Sequence, residues 1–236
     1  MKSIQHIIPY LIKKMIEIVA DILIPKEKSI INLENLSLPD LISKIPRAKD
    51  FDFETDKIKS LLSYKNDLCR QIIWEIKYRG NKTLIHKFSL LLYDLILEEI
   101  EDLKTFKNFQ NIILVPVPSS RSSQKEKGFN QCVLLVEELI KIDRERNQNN
   151  FSYIPNILNK KIDTTRQSKS KNKKERLHNL KNTFTVTWPS KEISDISNYS
   201  FILIDDVITT GATMNESFRA LRQAGTKKIV GFSLTH

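Results

Sequence analysis

Phe201-Ile202-Leu203-Ile204-Asp205-Asp206-Val207-Ile208-Thr209-Thr210-Gly211-Ala212-Thr213 is four apolar residues, two carboxylates, then a threonine-rich loop with one glycine. A short apolar run followed by polar loop residues predicts a buried strand over 201–204. Helical spacing then predicts a helix over 214–224, and Lys228 to Leu234 returns as a strand. This β-loop-α-β unit sets the fold class, because a strand, a crossover helix and a second strand build a parallel sheet with right-handed connections.

The same alternation extends upstream. Ile112-Ile113-Leu114-Val115-Pro116-Val117-Pro118 predicts a buried strand ending in a proline-fixed loop, followed by a helix over about 130–146. Short strands are predicted at 154–158 and 183–188. Two helices come earlier, over about 59–77, closed by Gly80, and over about 82–103. Apolar positions 8, 11, 12, 15, 19, 22 and 23 predict an amphipathic N-terminal helix, covering a core or a partner. Residues 25–57 hold Pro25, Pro39 and Pro46 and no sustained period, which predicts a connector or irregular subdomain. The expected organisation is an N-terminal extension over 1–58, a possible hood, and an α/β domain over 59–236, a mostly parallel sheet flanked by helices.

Composition narrows the function. The chain has 236 residues, 40% hydrophobic and 28% charged, enough to bury a core without staples and unlike disordered or fibrous sequences. A net charge of +10 points to an anionic partner. Two cysteines, Cys69 and Cys132, and four histidines exclude a disulfide framework and a four-cysteine zinc site, so no zinc is expected. A reducing cytoplasm is the expected compartment. Lys13, Lys14, Glu17 and Asp21 interrupt the apolar N-terminal stretch, so no transmembrane segment or signal peptide is expected.

The loop carries the chemistry. In an open α/β sheet ligands bind beyond the carboxyl ends of the strands. Backbone N–H groups at a helix start, with threonine hydroxyls, suit a phosphate, and Gly211 lets the backbone approach it. Asp205 and Asp206 cannot hold a phosphate, but they can accept hydrogen bonds from a vicinal diol. An acid pair beside a phosphate cradle describes a ribose-5-phosphate site. The competing structural reading makes Thr213 and Glu216 a capping box and the aspartates turn residues. No GxxxxGK[ST] motif is present.

The string 204–213 resembles the signature of type I phosphoribosyltransferases, which bind phosphoribosyl pyrophosphate (PRPP). The resemblance implies that Asp205 and Asp206 hold the ribose hydroxyls and that Thr209, Thr210, Gly211, Ala212 and Thr213 hold the 5-phosphate. Val115-Pro116-Val117-Pro118, Arg121 and Lys127-Gly128-Phe129-Asn130-Gln131 resemble the VPVP…R…RGFNQ pattern of the ComF/GntX family of competence-linked phosphoribosyltransferases. Lys77-Tyr78-Arg79-Gly80 resembles its KYxG helix end. Thr164, Gln167, Arg176, Asn179 and Phe184 resemble its T..Q…ER..N…F stretch, with about one extra residue between Gln167 and Arg176. These motifs span about residues 72–236. Two features depart from the family: the N-terminal cysteine-rich zinc ribbon is missing, and Lys127 replaces an arginine, keeping charge but losing the bidentate fork.

The implied activity is Mg²⁺-dependent phosphoribosyl transfer from PRPP to an unidentified acceptor, linked to competence and DNA uptake. Catalytic candidates are Asp205, Asp206, Arg121 and Lys127, with Ser119, Ser120 and Arg121 as a pyrophosphate loop and Lys125 nearby. Mg²⁺ is expected to arrive with PRPP. Residues 160–181 hold nine Lys/Arg against two acids, which suits either a lid over the site or a nucleic-acid patch. Lys169, Lys171, Lys173, Lys174 and Arg176 are its candidate residues. The alternative is a non-catalytic PRPP or nucleotide sensor, or a single-stranded-DNA-handling factor on the same fold. Partners then include single-stranded DNA or competence and recombination proteins, and a homodimer stays open. Cys69 and Cys132 are expected as buried thiols, and Trp74 and Tyr78 as packing residues. His6, His86, His178 and His236 are expected in surface or core roles, with no partner assigned.

Overall fold

The computed structural model describes residues 28–49, 51–53, 56–161, 183–189 and 195–236. The amphipathic helix expected over 7–24 and the five lid candidates, Lys169, Lys171, Lys173, Lys174 and Arg176, lie outside the described residues. The chain divides into two compact units, Met1–Leu41 and Ile42–His236.

In the first unit, α1 covers Lys28–Asn35 and α2 starts at Leu38, running to Lys44. Ser37 begins α2 by accepting the Asp40 N–H at 3.3 Å while donating its hydroxyl to the Asp40 carboxylate at 2.6 Å. The described residues of 25–57, read from the sequence as irregular, therefore contain two helices, a strand, β1 (Phe51–Phe53), and the start of a second strand at Asp56. Their short lengths left too few turns for a period to register.

The second unit is built on a six-stranded sheet. Its strands are β1, β2 (Asp56–Leu62), β3 (Ile112–Pro116), β4 (Phe151–Tyr153), β7 (Ser200–Val207) and β8 (Ile229–Thr235). The order is β1-β2-β8-β7-β3-β4, parallel throughout except for the antiparallel β1 edge. Residues 59–62, expected to open a helix, instead pair in β2 with β8, and the strand runs across the expected domain start at 59. The helix forms later, as α3. It starts at Asp67 behind the N-cap Asn66, whose side chain accepts from Cys69 N–H, and ends as a π-helical turn over Glu75–Arg79. Asn81 caps α4 (Lys82–Lys107), whose buried face includes Leu84, Phe88, Leu92, Tyr93 and Ile96.

From β3 the chain passes through a short helix, α5 (Arg121–Lys127), and α6 (Gln131–Glu145) to β4. From β7 it passes through α7 (Ala212–Gln223) to β8. These connections move along the sheet in opposite directions, so right-handed crossovers place α6 and α7 on opposite faces. Accordingly α6 packs with α4 against β3, β4 and β7. On the other face α7 packs with β7, β8 and a two-stranded hairpin, β5 (Leu158–Lys160) and β6 (Phe184–Val186). The single strand expected over 154–158 is thus mostly the gap between β4 and β5, which opens only at Leu158. Phe201, Leu203, Phe218 and Leu221 are fully buried between sheet and α7. Each such side chain stabilises the fold by about 1.5–3 kcal/mol. The connections leave the parallel neighbours β3 and β7 in opposite directions, a reversal of strand order, and ligand crevices form beyond the carboxyl ends of such a strand pair. Among the described residues no helix is long and apolar enough to cross a membrane.

Candidate functional site

The acid pair stands at this reversal. Strand β7 extends beyond the expected 201–204 to include both aspartates, because Asp205 pairs with Ser233 and Val207 with Thr235 of β8. The sheet therefore holds the acids rigidly, whereas the sequence reading ended the strand at Ile204 and set the acids between strand and loop. Asp205 and Asp206 are 7% and 4% exposed, almost buried, and each is hydrogen-bonded. Asp205 Oδ1 accepts from Asp206 N–H at 2.9 Å and from the Cys132 thiol at 3.5 Å. Asp206 accepts from Val207 N–H and from Gln131 Nε2, both at 3.0 Å, and Lys77 Nζ lies 3.9 Å from its Oδ2.

Burial and the Asp206 charge push Asp205 well above the ordinary carboxylate range. Burial also pushes up the Cys132 thiol, with both aspartates adding to the effect. Cys132 is thus an uncharged donor at neutral pH. Its Sγ and the carboxylates of Asp205 and Asp206 lie within 4.8 Å of one another. The two aspartates offer oxygen donors of the kind a hard cation such as Mg²⁺ would need, and the protonated thiol does not.

The two upstream motifs form a brace behind this pair. Asn130 caps α6 by accepting Cys132 N–H at 3.1 Å and donates to the Val117 carbonyl at 3.2 Å. It thereby ties the α6 start, with Gln131 and Cys132, to the end of β3. Phe129 lies against Gly80, and Lys127 Nζ sits 4.9 Å from the centre of the Tyr78 ring. Burial and the neighbouring Lys77 charge lower the Lys127 pKa. Lys77, Gln131 and Cys132 are site residues that residue-level reading missed. Lys77 and Gln131 lie inside the KYRG and KGFNQ strings, so the motifs were the available signal.

The expected phosphate loop is assembled as a turn into α7. Gly211 is the N-cap at φ 73°, a left-handed backbone with no side-chain cap, and it is buried. Thr210 Oγ1 accepts Ala212 N–H at 3.4 Å, and Thr209 is exposed. The capping-box reading of Thr213 and Glu216 does not hold. Thr213 lies within the helix, and Glu216 instead takes Arg219 in a two-pronged pair at 2.6 and 2.8 Å. From β8, Thr235 Oγ1 donates to the Asp206 carbonyl at 3.3 Å, fixing the loop root.

The 119–121 loop follows β3. Ser120 caps α5 by accepting Ser123 N–H at 3.1 Å, and Arg121 is the first residue of that helix. The buried Ser119 Oγ has no hydrogen-bond partner among the described residues and lines a cavity of about 230 Å³ at the ends of β3 and β4. Lys125 is exposed. Other expectations resolve as follows. Cys69 and Cys132 are buried free thiols. His86, expected without a partner, lies 2.7 Å from Glu138. Trp74 and Tyr78, expected as packing residues, are 48% and 43% exposed.

A parallel sheet with helices on both faces, an acid pair at the strand reversal and a glycine-capped helix start define a phosphoribosyltransferase-like fold. No family model matches the chain. It is 32% identical over 172 residues to competence protein ComFC of Bacillus subtilis, covering 71% of this chain and 58% of that protein. It is 35% identical over 179 residues to competence protein ComFC of Streptococcus pneumoniae, covering 75% and 66%. To competence protein F of Haemophilus influenzae it is 34% identical over 119 residues, covering 49% and 46%. The chain belongs to the ComF family. It spans from about half to about two thirds of the length of these relatives.

Proposed function

We propose that the chain binds PRPP with Mg²⁺ and transfers its phosphoribosyl group to an acceptor, in a competence-linked role that the names of its relatives support. One observation carries this reading: two buried, sheet-held carboxylates stand one short loop before a helix start that lacks a side-chain cap. Asp205 and Asp206 would accept the ribose hydroxyls, and the turn from Thr209 to Thr213 would hold the 5-phosphate.

Bond breaking at the ribose C1 builds positive charge on the sugar and negative charge on departing pyrophosphate. Bound Mg²⁺ would offset the pyrophosphate charge. Lys127 suits the same task. Held over the Tyr78 ring and beside Lys77, its ammonium would meet an arriving anion. Ser119 supplies a buried hydroxyl, without a partner among the described residues, on the loop expected to face pyrophosphate. Neither carboxylate is needed as a nucleophile, and catalysis rests on positioning and charge.

The test is pyrophosphate release when the full chain is given PRPP, Mg²⁺ and a panel of bases and amines. Release with at least one acceptor, lost in the Asp206→Asn variant, supports transfer. PRPP binding without release for any acceptor would replace transfer with a non-catalytic PRPP-binding role.

A further inference from the structure

Lys77 stands beside the acid pair without a hydrogen bond to it. Its Nζ lies 3.9 Å from Asp206 Oδ2, an ion-pair distance too long for a hydrogen bond, while Gln131 Nε2 donates to the same oxygen at 3.0 Å. Charge alone joins the lysine to Asp206, and its side chain is a flexible four-carbon stem, 35% exposed. Its backbone is held far more firmly. The π-helical turn closes with the Gly80 N–H on the Glu75 carbonyl, and the buried Glu75 carboxylate takes Arg79 at 3.1 Å and Asn81 Nδ2 at 3.3 Å. A fixed root with a loose tip fits a cation that changes partners.

A second cation stands close by. The Lys127 ammonium lies over the Tyr78 ring at 4.9 Å and within electrostatic reach of Lys77. Asp206 and Glu126 are the carboxylates that act on Lys127, and Asp206 serves Lys77 as well. An anion entering beside Asp206 therefore meets two ammonium groups. PRPP carries its anion at a place that its own covalent structure fixes. The ribose carbon that bears pyrophosphate, C1, adjoins the carbon that bears the 2′-hydroxyl. A cation next to the carboxylate that takes this hydroxyl is thus next to the C1–O bond that breaks.

We infer that Lys77 is the leaving-group cation of the site: the ribose hydroxyl that bonds to Asp206 frees Lys77 Nζ, which turns to the pyrophosphate oxygen on C1. This rests on the PRPP reading above. The C1–O bond breaks with its electron pair leaving on pyrophosphate, the acceptor nitrogen's lone pair forms the new bond, and the acceptor's proton passes to solvent. Lys77 keeps its own proton throughout and lends only charge. Because its release needs the diol, one residue couples sugar recognition to stabilisation of the leaving group.

The test compares PRPP with ribose 5-phosphate, which has the diol and the 5-phosphate but no pyrophosphate, by calorimetric titration of the full chain in Mg²⁺ buffer. In Lys77→Met the PRPP affinity should fall about tenfold or more. Ribose 5-phosphate should bind the variant as tightly as the parent or more tightly, since its hydroxyl no longer displaces a cation. Lys77→Arg should recover most of the PRPP affinity. Equal weakening of both ligands in Lys77→Met would overturn the inference and make Lys77 a support for Asp206. Unchanged PRPP affinity would overturn it too, with the PRPP reading intact. A parent chain that binds neither ligand would overturn that reading, and this inference with it.

Discussion

The ring of Phe129 stands 3.2 Å from the position a side-chain carbon would take at Gly80, whose φ is 58°. Glycine is required there twice, for the left-handed backbone that ends α3 and for the approach of the ring. Through this contact the KYRG turn supports the segment that supplies Lys127, Gln131 and Cys132 to the acid pair. Gly80→Ala should cost about 1–3 kcal/mol in urea unfolding and weaken PRPP binding in parallel. An unchanged midpoint would show that the contact does not constrain the fold.

Stability should respond to pH through Asp205. Its folded pKa is raised by burial and by Asp206, so the folded state binds more protons than the unfolded one above the ordinary carboxylate range. The parent therefore loses stability as pH rises from about 4 towards the folded value. Asp205→Asn has no such proton to lose. The melting temperature of the variant, relative to the parent, should climb as pH rises. A difference independent of pH would contradict the burial of a strained charge.

Neither thiol should be reactive in the folded chain. Burial pushes Cys69 up to about 12, and burial with the two aspartates pushes Cys132 up as well. Ellman's reagent at pH 8 should label both only as fast as the protein unfolds. Rapid labelling of one thiol in native buffer would show that its site is open.

The face opposite α7 is pinned by a buried polar knot. Tyr93 donates to Asp143 at 2.8 Å, and Asp143 also accepts Phe151 N–H at 3.1 Å, tying α4 and α6 to β4. Tyr93→Phe should destabilise the protein by about 1–3 kcal/mol, because the carboxylate stays buried with one donor fewer. The response to PRPP should be retained in this variant.

Much of the sheet was legible in the sequence because parallel strands buried on both faces read as unbroken apolar runs, as in Ile112–Val115 and Phe201–Ile204. The turn from Thr209 to Thr213 was legible because Gly211 is one of only five glycines. Strand β2 was not. Its Lys57, Lys59 and Ser60 carry no apolar run, and its place is fixed by pairing with β8 and by the Ser60–Ser233 hydroxyl contact at 2.7 Å. The exposure of Trp74 and Tyr78 was hidden for a related reason. Spacing of four residues puts two rings on one helix face, but a π turn and the neighbouring cations decide whether that face is covered.

The central claim is tested most directly by the thermal shift that PRPP with Mg²⁺ gives the full chain. At a hundredfold excess over its Kd, a ligand of the folded state stabilises by about 2.7 kcal/mol. The parent should show that shift. Asp205→Asn/Asp206→Asn should stay folded and lose most of it, since the acids are the proposed seat of the ribose hydroxyls. A double variant that shifts as far as the parent would contradict the ribose assignment, and with it the proposed site.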